Sequence, residues 1–208
     1  KRGDVQHVEH QLLPAMQQAL GPPEHVMVHV VRGMTLRAKG PAFYKEARQS
    51  LLHAVMSNAS LADVWQALLK LDVAIGNPAL VEADARALLG VDPDHALANY
   101  LLGARLLSDG AWAEAEDFLR RSVESKPTPA ACNDLAECLR RQKRLADAEG
   151  AARQSLALDP GLVQAQDTLA CILCDAARYA EAETWARRAA ERFPETLPYQ
   201  LTLLRAEI

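Results

Sequence analysis

Residues 96–128 read ALANYLLGARLLSDGAWAEAEDFLRRSVESKPT, and residues 129–162 read PAACNDLAECLRRQKRLADAEGAARQSLALDPGL. Both stretches end at a proline-containing turn. Such turns recur at intervals of 34, 33 and 34 residues, at Val91-Asp92-Pro93, Ser125-Lys126-Pro127, Leu158-Asp159-Pro160 and Arg192-Phe193-Pro194. Because proline has no backbone donor and cannot continue a helix interior, each turn is predicted to separate two repeated helical units.

Between these turns each unit contains two amphipathic stretches of helical length. Counting from Ala62, Ala96, Pro129 and Val163, the seventh residue is always Leu and the eighth is mostly small. Small side chains at fixed places let two helices pack closely. The turn between the two helices of each unit is predicted near Gly76, Gly110, Lys143 and Ala177.

The composition favours helices throughout the chain. Hydrophobic residues make up 50% of it, charged residues 24% and aromatic residues only 5%, and the sequence is rich in the helix formers Ala and Leu. The net charge of −4 argues against nucleic-acid binding, because phosphate recognition needs a basic surface. No apolar run is long enough to predict a membrane span.

The repeat pattern resembles the tetratricopeptide repeat (TPR). The best matches are Leu102-Gly103 with Gly110, Trp112, Ala115 and Pro127, and Leu169-Ala170 with Tyr179, Ala182, Ala189 and Pro194. The resemblance covers residues 62–196 and implies an all-α fold, an alpha-alpha superhelix (solenoid) of helix-turn-helix repeats. It predicts a partial repeat or cap at 1–27, a degenerate repeat at 28–61, repeats at 62–95, 96–128, 129–162 and 163–196, and a truncated helix or cap at 197–208.

Two places depart from the family pattern. In the unit at 28–61, Gly33 and Gly40 also align with the small residue and the turn glycine if two residues are inserted after the turn, which moves the first helix by two residues. In the unit at 62–95, Asp72 stands where a hydrophobic residue is expected. Residues 5–20 are predicted to form a further helix that ends at Gly21-Pro22-Pro23.

The resemblance also implies a function, namely binding of a peptide or protein segment in a concave groove, with no catalysis. In the family the groove is lined by the first helix of each unit. The corresponding residues here are Arg32, Gln66, Lys70, Val73, Tyr100, Leu107, Asn133, Glu137, Arg140, Arg141, Asp167, Cys171 and Cys174. The mixed lining suits a ligand with an apolar anchor near Tyr100 and acidic groups near Lys70 and Arg140 or Arg141. The family's clamp for a chaperone's carboxyl-terminal carboxylate lacks its full residue set here, which disfavours a cochaperone role.

Two alternatives to a free-standing binding module stay open. The repeats are also compatible with an accessory region of a larger enzyme, such as a glycosyl- or sulfotransferase, or with an oligomerisation scaffold. The chain begins Lys1-Arg2 and ends on an apolar helical stretch, which indicates a piece of a longer protein. An unfinished repeat exposes an apolar face, so self-association through residues 197–208 is expected.

No cofactor or metal site is predicted. Cys132 and Cys138 are six residues apart on a helix and point apart, so they do not easily converge on one ion. The Cys171-x-x-Cys174 pair is expected in the middle of a helix, away from the helix N-terminus where the macrodipole would lower a thiol pKa for redox work. Structural thiols are therefore expected, with zinc binding or a regulatory disulfide as the alternative. The histidine pairs His7/His10 and His25/His29 have helical spacing but are expected at opposite ends of a hairpin. Four cysteines are too few for a disulfide scaffold in a chain of this size, which weakly favours a reducing compartment such as the cytoplasm.

Overall fold

The structure, a computed structural model, describes residues 26–207. These residues form eleven α-helices and contain no strand. The helices are α1 (Val26–Lys39), α2 (Tyr44–Ser57), α3 (Ala62–Ile75), α4 (Pro78–Val91), α5 (Ala96–Ser108), α6 (Trp112–Ser125), α7 (Pro129–Arg141), α8 (Leu145–Leu158), α9 (Val163–Asp175), α10 (Tyr179–Arg192) and α11 (Leu197–Ala206). The predicted all-α fold is confirmed, and the helix predicted over residues 5–20 lies outside the described part.

The turns inside the hairpins fall where the sequence places them. Gly76, Gly110, Lys143 and Ala177 have φ angles of 76°, 80°, 64° and 58°, the left-handed conformation that ends a helix. At each of the last three, the N–H of the left-handed residue and that of the next residue bond to carbonyls three and five residues earlier, as Arg178 N does to Leu173 O at 2.8 Å. Each first helix therefore ends at a local backbone signal, and the second helix starts two residues later.

The first hairpin follows the shifted register. Gly40 follows its first helix and precedes the short 3-10 helix Pro41–Phe43, after which α2 starts. A Cβ added to Gly33 would lie 2.6 Å from Leu51 Cγ, and one added to Gly103 would lie 2.7 Å from Leu119 Cγ. Gly33 and Gly103 thus occupy the same position in two hairpins, where the two helices cross closely. The alternative alignment of Gly33 therefore describes the first hairpin.

The chain divides into two compact units, Lys1–Ala98 (unit 1) and Asn99–Ile208 (unit 2). In unit 1, α1 packs on α2, α2 on α3 and α3 on α4, around a core that includes Leu51 and Leu68. Unit 2 repeats the scheme from α6 to α11, around a core that includes Leu139, Leu169 and Leu173. Each hairpin buries its apolar surface against its neighbour, as expected for repeats too small to fold alone.

No helix within residues 26–207 is both long enough and apolar enough to cross a bilayer.

Candidate binding face

The first helices of unit 2 carry most of the predicted groove residues. α7 packs directly against α9, and α9 against α11. Side chains of successive helices meet on this surface: Tyr100 lies beside Asp134, Arg140 Nη1 donates to Asp175 Oδ2 at 2.9 Å, and Arg205 Nη2 donates to Asp175 Oδ1 at 2.7 Å. We call this surface, formed by residues 100–107, 133–141, 167–175 and 199–205, the first-helix face.

Arg140 lies at the centre of an ion-pair network on this face. Its Nε and Nη2 donate to the two carboxylate oxygens of Glu137, each at 2.8 Å, and its side chain is only 15% exposed. Burial alone would raise the pKa of Glu137, but hydrogen bonds from Arg140 and Arg141 hold it below its ordinary value. The pKa of Asp175 is also lowered, because bonds from Arg205 and Arg140 outweigh its burial. Arg140 is therefore a cross-link between α7 and α9.

Arg141 is the more available cation of the two. Its side chain is 52% exposed, and its Nε donates to Glu137 Oε1 at 2.6 Å. Because a half-exposed ion pair contributes little free energy, Arg141 can exchange this partner for a ligand carboxylate at small cost.

Tyr100 and Leu107 are half-buried against the unit 2 core. Burial, and then the neighbouring Asp134 carboxylate, raises the pKa of the Tyr100 hydroxyl. Burial likewise raises the pKa of Asp134. On the same face, Asn133 Oδ1 and Asp167 Oδ1 are buried acceptor atoms for which residues 26–207 supply no hydrogen-bond donor. The face thus combines apolar surface with carboxylate and amide groups.

The two cysteines of the C-x-x-C pair lie in different environments. Cys171 Sγ is on the first-helix face, 3.5 Å from Thr202 Oγ1, and burial raises its pKa. Cys174 is only 3% exposed and packs in the unit 2 core, so its assignment to the groove lining is wrong. All four cysteines are free thiols, and residues 26–207 contain no cluster of three metal-ligating side chains.

The predicted groove residues of unit 1 form a more open surface. Arg32, Lys70 and Val73 are exposed, and Val73 keeps 46% of its surface accessible. Gln66 Nε2 lies 2.7 Å from His95 Nε2, at the start of α5. His7, His10 and His25 are outside the described residues, and His29 stacks on His53 with ring centroids 5.3 Å apart.

One cluster in unit 1 was not predicted. Arg48 Nε donates to both carboxylate oxygens of Asp72, at 2.9 and 3.1 Å, and its Nη2 lies 3.4 Å from Asp84 Oδ2. Asp72 is fully buried and the Asp84 side chain is 6% exposed. Burial, and then its hydrogen bond and charge interaction with Asp72, raises the pKa of Asp84 to about 7 although Arg48 opposes this. The signal in the sequence was Asp72 at an apolar position, but its partners were not identifiable.

Comparison with known proteins agrees with the repeat assignment. Profiles of the family described as "Tetratricopeptide repeat" match residues 67–131 and 125–163, and residues 162–197. These matches run continuously from 67 to 197, well over half of the chain. No curated protein matches the chain in sequence.

Solved structures of TPR proteins share the fold. The chain is similar to YrrB, described as a TPR protein with an unusual peptide-binding site, with a TM-score of 0.75 and 16% identity over 92% of this chain and 96% of that one. It is similar to MamA from Desulfovibrio magneticus RS-1 (TM-score 0.65, 17% identity, 80% of this chain and 93% of that one). The first TPR of Spaghetti (RPAP3) bound to an HSP90 peptide gives a TM-score of 0.52 at 21% identity over 54% of this chain and 90% of that one. With the repeat spacing, the hairpin turns and the matched profiles, these likenesses show that the chain belongs to the tetratricopeptide repeat family.

Proposed function

We propose that this chain is a protein-interaction module that binds a peptide or protein segment on the first-helix face of unit 2. The observation that carries the proposal is the continuity of that face. Side chains of α7, α9 and α11 are joined across the hairpins by the Arg140–Asp175 and Arg205–Asp175 bonds, and Tyr100 of α5 lies beside Asp134. A face fixed in this way meets a ligand with little loss of side-chain entropy on binding. The peptide-binding TPR proteins among the structural neighbours support the same function.

The chemistry of the face indicates how such a segment would be held. Arg140 is already bonded to Glu137 and Asp175, so we expect it to position its neighbours. We expect the contact to a ligand carboxylate to come from Arg141 and the apolar anchor to pack beside Tyr100 and Leu107. Asn133 Oδ1 supplies an acceptor for a backbone N–H of the segment if side chains beside it move on binding.

Peptides selected from a phage-displayed random library against the intact chain test this proposal. We expect Arg141→Glu to weaken binding of the selected peptides at least about tenfold, because it reverses a charge on the face. The matched control is Arg121→Glu on α6, a second helix, where the exposed arginine lies away from this face and affinity should not change. Equal affinity of both variants and the wild-type chain, or recovery of no binding peptide, would contradict the proposal.

Self-association remains a second proposal, resting on α11. Its Leu197, Leu201 and Leu204 are 63%, 54% and 59% exposed and form an apolar strip at the end of unit 2. We expect Leu201→Glu to reduce any concentration-dependent mass increase seen by light scattering. A chain that stays monomeric at high concentration would argue against it.

A further inference from the structure

A groove on the other side of unit 1 has the features of a second binding site. It lies between α2, the end of α3 and the start of α4, and has a volume of about 610 Å³. Its walls are mainly apolar and include Tyr44, Leu52, Ile75 and Leu80. Ile75 is 40% exposed and adds apolar surface to the wall. We call this surface the second-helix groove.

The corresponding groove of unit 2 lies between α6 and α8 and is similar in volume, at about 560 Å³. Ion pairs between its charged residues oppose the binding of a ligand. Its charged residues pair with one another: Arg144 Nη1 donates to Glu116 Oε1 at 2.7 Å, and Arg120 Nε donates to the same oxygen at 2.7 Å. The Arg144–Glu116 bond spans the groove from the start of α8 to α6, and the Arg120–Glu116 bond lies within α6. A ligand would have to break them before it could bind there.

In unit 1 both members of that spanning pair are replaced. The residue before α4 is Asn77, whose Oδ1 accepts from the Ala79 N–H at 3.1 Å and so caps its own helix. The fifth residue of α2 is Arg48 instead of glutamate, and it turns inward to Asp72. In unit 1 the charged link between α2 and α4 is instead Arg48 Nη2 to Asp84 Oδ2 at 3.4 Å, between side chains that are only 19% and 6% exposed. Ile75 in the wall of the second-helix groove stays exposed.

The first hairpin also has an unusual charge. Residues 26–57 contain five lysine or arginine residues and one carboxylate, Glu46, in a chain whose net charge is −4. Two of these cations, Lys45 and Arg48, line the groove. Among the described residues no carboxylate pairs with Lys45, and Arg48 uses only Nε and Nη2 for its bonds to Asp72 and Asp84. Lys45 is thus the cation of the groove that no described carboxylate balances, whereas Arg48 is paired with Asp72 and Asp84.

We propose that the second-helix groove docks an acidic amphipathic segment of a partner protein. Its apolar side chains pack between Leu52, Ile75 and Leu80, and its carboxylates meet Lys45 and Arg48 Nη1. The apolar anchor supplies most of the affinity, and the opposite charges steer the encounter and select the partner. This site lies on the second helices α2 and α4 and the end of α3, and it shares no residue with the first-helix face proposed above.

Fluorescence anisotropy with two labelled peptides tests the proposal on the intact chain. Both peptides have leucines at helical spacing and equal length, but one carries glutamates and the other lysines at the remaining positions. We expect the glutamate peptide to bind and the lysine peptide not to bind. Lys45→Glu should weaken binding of the glutamate peptide at least about tenfold, and Ile75→Ser should weaken it by a similar factor.

The matched control is Lys70→Glu, which reverses an exposed charge on a first helix of the same unit. Its affinity for the glutamate peptide should equal that of the wild-type chain, and circular dichroism should show all variants folded. Wild-type affinity in Lys45→Glu, equal binding of the lysine peptide, or loss of binding in Lys70→Glu would overturn the proposal. Competition by the library-selected peptides would place the glutamate peptide on the first-helix face, which leaves the first proposal standing and removes this one.

Discussion

Adjacent hairpins pack around an apolar core in both units, but the contact in unit 1 also contains a buried charged cluster. The eleventh residue of the first helix is Asp72 in α3 but Leu139 in α7 and Leu173 in α9. The seventh residue of the second helix is Asp84 in α4 but Ala151 in α8 and Trp185 in α10. Matching backbone positions thus hold carboxylates in one unit and core side chains in the other.

The two units also differ in the charged residues at the surface groove between their second helices. In unit 2 the fifth residue of a second helix is a glutamate that pairs across the groove, as Glu149 Oε2 does with Arg178 Nη1 at 2.6 Å. In unit 1 that residue is Arg48, which is drawn inward by Asp72 and Asp84. A buried ion cluster contributes little net stability compared with a packed apolar one. The difference shows how a repeat can give up core hydrophobicity and gain an open, basic groove.

The largest expected effect is the loss of Arg48. Arg48→Leu leaves Asp72 and Asp84 buried without a counter-charge, and we expect it to lower the free energy of unfolding of unit 1 by about 3–5 kcal/mol. Urea unfolding followed by Trp65 fluorescence, in a chain with Trp112→Phe and Trp185→Phe, measures unit 1 selectively. The control combines Arg48→Leu with Asp72→Leu and Asp84→Leu, which imitates unit 2 and should restore most of the loss. A single-variant effect below about 1 kcal/mol would mean that the carboxylates are not effectively desolvated.

The core of unit 2 is expected to be sensitive to a side chain that is too large for its site. Ala148 on α8 is fully buried, and Ala148→Phe should overfill the core and cost about 1–3 kcal/mol of unfolding free energy. Ala157→Phe on the exposed side of the same helix is the control and should be nearly neutral. Chemical denaturation monitored by circular dichroism compares the two variants. A neutral Ala148→Phe would contradict the close packing assigned to this position.

A smaller effect is a difference between the two units in how their folding stability depends on pH. Because the pKa of Asp84 is raised to about 7, its contribution to stability is complete below pH 4 and is lost as the pH rises through 7. In unit 2 the pKa values of Glu116 and Glu149 are lowered by their arginine partners despite burial, so their contribution is lost as the pH falls below their ordinary range.

Thermal unfolding of the wild-type chain and of Asp84→Asn between pH 5 and 8 measures this difference. We expect the midpoint of the wild-type chain to fall by roughly a few degrees relative to Asp84→Asn as the pH rises. Burial lowers the pKa of His29, which acts in the opposite direction, but His29 is common to both chains and cancels in the comparison. Parallel pH profiles would show that Asp84 does not hold its proton in the folded state.

The smallest effect concerns two helical glycines of unit 2. Nothing lies within 4 Å of a Cβ added to Gly150, so Gly150→Ala should stabilise the chain by roughly 0.5–1 kcal/mol through helix propensity. Gly103→Ala gains the same propensity but meets Leu119, so it should be neutral or destabilising. Differential scanning calorimetry of both variants measures these changes in stability. A stabilising Gly103→Ala would show that the helix crossing is looser than described.

Most of the fold was predictable because its signals are local. The turns at Gly76, Gly110, Lys143 and Ala177 follow from the repeat spacing, and each left-handed residue closes a few backbone bonds to its own helix. The first hairpin was ambiguous because the insertion at Pro41–Phe43 lengthens the connection and leaves two alignments of Gly33. Only the contact between Gly33 and Leu51 distinguishes them.

The candidate site was less predictable, because its chemistry depends on residues far apart in the chain. The position of Arg140 in its repeat placed it on the first-helix face. That position did not indicate that Arg140 already bonds to Asp175, 35 residues later in the chain. Positions in the repeat also placed Cys174 beside Cys171, although three residues along a helix turn one thiol into the core and leave the other on the surface.

The sequence by itself determined the helices, their pairing into hairpins and the family, because apolar periodicity, proline stops and turn residues act within one repeat. Only the tertiary structure decided which charges are engaged and which are exposed. Asp72 meets its partner across 24 residues, and Lys45 lines a groove that exists only when α2, α3 and α4 pack together. Electrostatic interactions depend on distance and burial in the folded chain, and neither is encoded in the spacing of a repeat.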